Sequence, residues 1–395
     1  MKLKTLFVLY IIIPLAFVSC QQKSDNSNAS YNYSLQETGK KLSLETVRPH
    51  GVRFTAVFPF TDKKGERYLT FQETLQNNIS IYEFHTGNFF KTVKIEREGP
   101  NSITQLHGYF IKDFDEIYLT NPNLPFVART DTTGQIFQKI SFEKSDDGTL
   151  LIPYFSSTHY TPLAMINDTF YVTQVPPPWE EPNTWPVSCY VDTLNKCVKK
   201  LPFNFPQFLT KEERNLMSMG IGIEFAYNRC FDGSNFIYSF YIDESIRVTS
   251  TDHQEIKQIP VKSKYIKKVI SPRETKPDDM LLGAKRLCEA PFYGDLIYDP
   301  YRSVYYRVAW PETEMEEEEG RTYIEIWTTG RKRFSIIILD KDFNIIGETL
   351  FPDYKYYSRD IFVEKEGLYI RSNHFKSPDY NDNKLEFTCF ELVKN

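Results

Sequence analysis

The stretch IKDFDEIYLTNPNLPFVARTDTTGQIFQKI, residues 111–140, contains three short apolar runs divided by turn residues. The run around Tyr118 is rich in β-branched and aromatic side chains and lacks proline, which is the pattern of a buried strand. FVART and IFQKI follow it, joined by DTTGQ, whose Asp, Thr and Gly suit a tight hairpin turn. KDFDE supplies another turn in front. The stretch therefore reads as part of an antiparallel meander.

The same grammar recurs along the chain. Tyrosine-centred runs stand at RYLT (Tyr68), FYVT (Tyr171), IYSF (Tyr238), VYYR (Tyr305) and LYIR (Tyr369), most of them preceded by turn residues and followed by a hairpin. Each unit has room for about four antiparallel strands, and six such units predict an all-β chain folded as a six-bladed β-propeller. The last unit stops one strand short. KKLSLETV, Lys40 to Val47, lies unused before the first unit and is expected to supply the missing outer strand, covering an edge that would otherwise aggregate. Two consecutive β-sandwiches would also show short strands and turns. The common tyrosine and the missing strand favour the propeller. The 31 Phe and 26 Tyr fit a β-rich chain. Short helical insertions are expected between units, one beginning at Thr210 with Glu213 completing a capping box.

The N-terminus has a different character. Lys2 and Lys4 precede an apolar run, Leu6 to Val18, that is shorter than the roughly 20 residues a membrane-spanning helix needs and is interrupted by Pro14. These are the features of a secretory signal peptide. FVSC, ending at Cys20, resembles the lipobox of bacterial lipoproteins, with Phe17 where that motif usually has Leu. The resemblance implies cleavage before Cys20 and acylation of its sulfur and new amino group. Several acyl chains anchor stably, since each buried methylene adds about 0.8 kcal/mol. QQKSDNSNAS, residues 21–30, is polar and reads as a tether. The expected organisation is a signal peptide at 1–19, a lipidated tether at 20–39 and the propeller at 40–395.

The unit KTVKIEREGPNSI followed by residues 111–140 resembles the blades of six-bladed propeller lipoproteins of Bacteroidota-type bacteria. More narrowly, the chain is similar to a lipoprotein family of this length known only as a domain of unknown function. Glu98 to Pro100 and the Tyr118 strand are the most recognisable pieces. The resemblance implies the fold and an envelope location; the expected place of the lipid anchor is the outer membrane, on its periplasmic or its surface side. It carries over no catalytic residue.

The formal net charge of −5 argues against nucleic acid as a partner, because that needs a basic stripe. Beyond Cys20 the cysteines are Cys189, Cys197, Cys230, Cys288 and Cys389, with no zinc spacing. Cys189 and Cys197 could bridge a hairpin, but free thiols are the favoured reading. There is no HExxH, GxSxG, Walker loop or dinucleotide fingerprint, so no catalytic residue, metal site or cofactor is assigned.

If the tyrosine strand is second in each unit, the long insertions 175–186, 309–321 and 372–384 share one face with the inter-blade connections. Long loops on a rigid scaffold commonly carry function. Trp179, Glu180, Trp185 and Trp310 sit in these insertions and are the candidate ligand-binding residues, since an indole next to carboxylates can stack on a sugar ring or a partner's side chain. The competing reading is that these tryptophans pack the loops onto the rim. The functional expectation is a non-enzymatic binding or scaffold lipoprotein whose partner is a glycan, a peptide or an envelope protein. The alternative is a propeller lactonase, hydrolase or glycan lyase.

Overall fold

The computed structural model describes residues 29–45, 54–73, 76–121, 124–151, 161–176, 181–208, 210, 226–269, 280–316, 322, 326, 331–381 and 383–395. Strand β1 (Tyr33–Glu45) comes first. Four separate antiparallel sheets of four strands follow. They are β2–β5 (Phe54–Thr61, Arg67–Glu73, Asn78–Glu83, Phe89–Lys94) and β6–β9 (Gly108–Asp113, Glu116–Asn121, Leu124–Thr130, Gln138–Ser141). Next come β10–β13 (Ala164–Ile166, Thr169–Thr173, Ser188–Asp192, Cys197–Lys200) and β14–β17 (Tyr227–Phe231, Phe236–Phe240, Ser245–Thr249, Ile256–Pro260). The remaining strands are β18–β21 (Phe292–Asp299, Val304–Trp310, Ser335–Leu339, Ile345–Leu350) and β22–β24 (Ile361–Glu364, Gly367–Arg371, Lys384–Lys394). With β1 they form one eight-stranded sheet, ordered β18-β19-β20-β21-β1-β24-β23-β22. Helix α1 (Met280–Glu289) precedes β18. Among the described residues no helix is long and apolar enough to cross a membrane.

The eight-stranded sheet is two meanders joined by β1. One registered pair, Tyr33 with Gly347, makes the parallel contact to β21, whereas β1 runs antiparallel to β24 from Tyr33–Lys394 to Glu45–Lys384. A Cβ on Gly347 would stand 2.1 Å from the Tyr33 carbonyl oxygen, so the close approach of the two backbones requires glycine there. The strand is longer than its sequence suggests. Residues 33–37, placed in the tether by composition, pair with the end of β24 beyond a register shift between Glu37 and Lys41, and Leu35 is buried there. The helix expected after Thr210 lies outside the described residues.

Aspartates shape the turns at one end of the sheets. Asp62 Oδ1 accepts from the amides of Lys64 and Glu66, and Asp192, Asp232, Asp299 and Asp340 do the same in their own turns. Such side chains mimic a backbone turn and set the strand reversal locally. The β10–β11 turn uses Asn167 and Asp168, both at positive φ, as a two-residue hairpin prefers.

All six repeat tyrosines fall on the second strand of a meander: β3, β7, β11, β15, β19 and β23. Several reach an aromatic ring of the next meander: Tyr68–Phe114 at 5.1 Å, Tyr118–Phe170 at 4.6 Å, Tyr171–Phe236 at 4.9 Å and, from last to first, Tyr369–Phe84 at 5.7 Å. Tyr305 instead donates its hydroxyl to Asp232, 2.7 Å away in the preceding sheet. Tyr238 meets Nε2 of the buried His253 at 2.5 Å, while Nδ1 lies 3.2 Å from the Thr251 carbonyl. Burial holds that imidazole neutral, pushing its pKa down to about 4. The core is thus divided into wedges between neighbouring sheets, each filled by its own apolar cluster, including one that joins Phe362, Tyr369 and Phe387 to Leu69, Phe71 and Tyr82.

Two buried arginines pin sheets together. Arg229 on β14 donates to Ser188 Oγ at 3.0 Å and to the carbonyls of Pro162 and Tyr171, both 2.9 Å. Arg307 on β19 donates to Ser239 Oγ at 2.9 Å and to the carbonyls of Val261 at 2.7 Å and Asp243 at 2.6 Å, with its guanidinium 3.8 Å from the centre of the Tyr293 ring. Each satisfies backbone oxygens that would otherwise be buried unpaired.

Candidate functional site

The antiparallel register places the start of the first and third strands, and the end of the second and fourth, at one end of each meander. That end carries the long connections 142–163, 174–187, 201–226, 261–291, 311–334 and 372–383; at the other end the longest turn is 131–137. A polar cluster lies buried at the loop-bearing end, where β18 and β22 begin.

A β-bulge builds it. On β18 the register with β19 shifts between Tyr293 and Leu296, which leaves Gly294 and Asp295 in the irregular stretch. A bulge bends a strand and re-aims a side chain. Gly294 is needed because a Cβ there would lie 2.6 Å from the indole of Trp310. Asp295 is buried and receives the Tyr241 hydroxyl at 3.3 Å. Burial pushes its pKa up to about 7, against the opposing pull of Arg359 and of the Tyr241 hydrogen bond, while the charge of Asp360 adds to the rise. Asp360 is itself held by Arg371 at 2.8 Å.

Trp310 is the hub of this cluster. Its ring meets Tyr241 edge-on at 5.4 Å, and the guanidinium groups of Arg331 and Arg359 lie 4.6 and 5.4 Å from its centre. Its Nε1 donates to Ser358 Oγ at 2.8 Å. Arg331 donates through Nη1 to the carbonyls of Cys288 and Ala290, while Nη2 finds no hydrogen-bond partner among the described residues. An acid that holds a proton near neutrality, beside arginines on an aromatic platform, has the means to exchange a proton or to hold a polar ligand group.

The candidate residues taken from sequence scatter. Trp310 is fully buried and donates within the protein, so it offers no surface for a ligand; it ends strand β19, which carries it into the core rather than into a loop. Trp185 is half-buried after a 3-10 turn (Pro182–Thr184), and its buried Nε1 has no acceptor among the described residues. Trp179 and Glu180 lie outside the described residues, as do Cys20 and most of the acidic run 316–319. Asp295 was not singled out by sequence. Its signal was an isolated glycine before an acid inside a strand pattern, FYGDLIYD, which marks a bulge. Among the described residues no His, Cys, Asp and Glu gather as metal ligands. Cys189 and Cys197 are free: the β12–β13 register sets Cys189 opposite Lys200 and Cys197 opposite Asp192, so the two do not face each other.

Residues 31–350 match the family described as a domain of unknown function, DUF4221. The chain belongs to the DUF4221 family. A crystal structure of a DUF4221 member from Bacteroides vulgatus superposes with a TM-score of 0.77 at 24% identity, covering 93% of this chain and 100% of that one. A putative exported protein from Bacteroides fragilis gives a TM-score of 0.54 at 11% identity, covering 94% and 98%. These likenesses are of fold. No curated protein matches the sequence. In this DUF4221 chain the matched stretch includes β1, the bulge, Asp295, Trp310 and Arg331, while Ser358, Arg359 and Asp360 lie beyond it.

Proposed function

We propose that this DUF4221 protein is a six-bladed β-propeller, closed by β1 and anchored in the cell envelope through a lipid on Cys20, that binds a partner at its loop-bearing end. Six meanders, the β1–β24 pairing and the apolar wedge from the last meander to the first support closure. The anchor rests on the charged and apolar leader and on FVSC.

The observation that carries the binding reading is the gathering of the long connections at one end, with the Asp295–Trp310–Arg331 cluster beneath them. A glycan or peptide suits this end, because half-buried Trp185 presents apolar area there, with the buried Asp295 and Arg331 shaping the floor beneath it. The test is a thermal-shift screen of the purified chain against glycans and peptides, in which a ligand raises apparent stability with its excess over Kd. Trp185→Ala and Asp295→Asn are expected to weaken a ligand found this way by at least tenfold, about 1.4 kcal/mol. Unchanged affinity in both variants would sink the assignment of this end.

One observation favours a second reading, a propeller hydrolase or lyase: an acid with a pKa of about 7 at a strand bulge is suited to general acid–base work. Turnover of a lactone or polysaccharide, lost in Asp295→Asn, would select it over saturable binding without turnover.

A further inference from the structure

The short-turn end has its own chemistry. Five different meanders expose a large apolar side chain there: Phe89 opens β5, Phe137 precedes β9, Leu194 sits in the β12–β13 turn, Ile256 opens β17 and Tyr301 lies in the β18–β19 turn. Leu194 is 75% exposed and Phe137 54%, at turns whose other exposed residues are polar. The charges around them are of both signs, Lys63 beside Asp113 and Asp115, and Lys341 beside Asp342.

The chain also enters at this end. The Ser30 amide donates to the Ile345 carbonyl at 2.8 Å where β21 begins, and the Asn395 amide donates to Asn32 at 2.7 Å. Tyr33 then pairs with Lys394, the last residue of β24. From Cys20 to Ala29 the chain reaches at most roughly 30 Å when extended, and a relaxed flexible segment of that length averages about half as much. Strands span about 17–20 Å, so the tether leaves from the end opposite the long loops.

We propose that the short-turn end rests on the bilayer that holds the Cys20 lipid, its exposed apolar residues entering the headgroup region, while the loop-bearing end faces away from the membrane. This rests on the anchored-propeller reading above. Leu124, Leu150, Leu281, Leu282, Leu350 and Tyr380 expose apolar surface at the loop-bearing end as well, so the choice of end rests on where the tether emerges. A lipid on Cys20 confines the domain to the surface, so contacts too weak to hold a free protein suffice. Mixed charge makes the contact one of apolar side chains with the interface, insensitive to salt and to anionic lipid.

The test uses the full chain, expressed with its own leader, purified in detergent and reconstituted into vesicles of phosphatidylcholine and phosphatidylethanolamine. Lysine acylation is read residue by residue by mass spectrometry. Relative to the Cys20→Ser protein mixed with the same vesicles, Lys63 and Lys341 are expected to react about threefold or more slowly, as partial burial at the interface shields them. Lys355, in the 351–360 connection at the other end, should be unchanged. The combined variant Phe137→Ser, Leu194→Ser and Tyr301→Ser should restore Lys63 and Lys341 while leaving the melting temperature in place. An acylated protein in which Lys355 is protected instead, or in which neither end is protected, overturns the orientation alone. Absence of the acyl mass on Cys20 overturns the anchor and the orientation with it.

Discussion

Burial keeps Asp295 protonated in the folded chain under conditions where the unfolded chain has ionised it. Its folded pKa is raised from 3.8 to about 7, so between these values the folded state binds more protons than the unfolded one. Stability therefore falls as pH rises from about 4 to about 7, by an amount that approaches roughly 4 kcal/mol above that window. Asp295→Asn removes the titration and keeps a group that can accept from Tyr241. Its stability relative to the parent is expected to improve steadily between pH 4 and 8, as read from urea midpoints. A difference that does not move with pH would reject the buried, protonated acid. Residues of this kind are hard to read from sequence, since Asp295 owes its state to burial, and Tyr241 and Arg359, which pull against that rise, lie far along the chain from it. The glycine before it was a visible sign of a bulge; the partners were not.

Strands were the most legible elements. The tyrosine-centred runs, the hairpin aspartates and the strand order within each meander follow from patterns a few residues long, and the structure has them in the expected places. What holds the meanders side by side is less local. Arg307 sits in the middle of VYYRVAW, where a sequence pattern gives no reason for a charge, and only the fold shows that its guanidinium bonds carbonyls of the neighbouring sheet. Arg307→Met keeps much of the side-chain volume but leaves the Val261 and Asp243 carbonyls without that donor. Leaving a buried acceptor of this kind unsatisfied costs about 1–3 kcal/mol. Urea unfolding should show this loss, whereas Lys341→Met, whose exposed side chain pairs only with the exposed Asp342, should cost much less. Equal effects would mean that the clamp contributes little.

At the scale of the molecule, β1 decides whether the two halves of the eight-stranded sheet are one body. Removal of residues through Ala29 is expected to leave the unfolding midpoint unchanged. Removal through Glu45 deletes Leu35, Leu42 and Leu44 from the wedges and exposes the edge of β24, so the chain should lose cooperative unfolding and aggregate. The boundary matters: a cut at residue 34 already takes Tyr33 and Ser34 from their pairs with Lys394 and Val393. Retained cooperative unfolding after removal through Glu45, measured by calorimetry, would reject closure by β1.

By itself the sequence determined the repeated strand-and-turn grammar and marked a strand before the first unit, which pairs with β24. These are local matters of side-chain alternation, turn propensity and counting, and they survive translation from chain to fold. Only the tertiary structure decided that Trp310 is an internal hub, that β1 begins at Tyr33, and that a bulge brings Asp295 to Tyr241 and Trp310. Burial and pKa are properties of what packs around a group. In a fold assembled from meanders, those neighbours come from strands far apart in the chain.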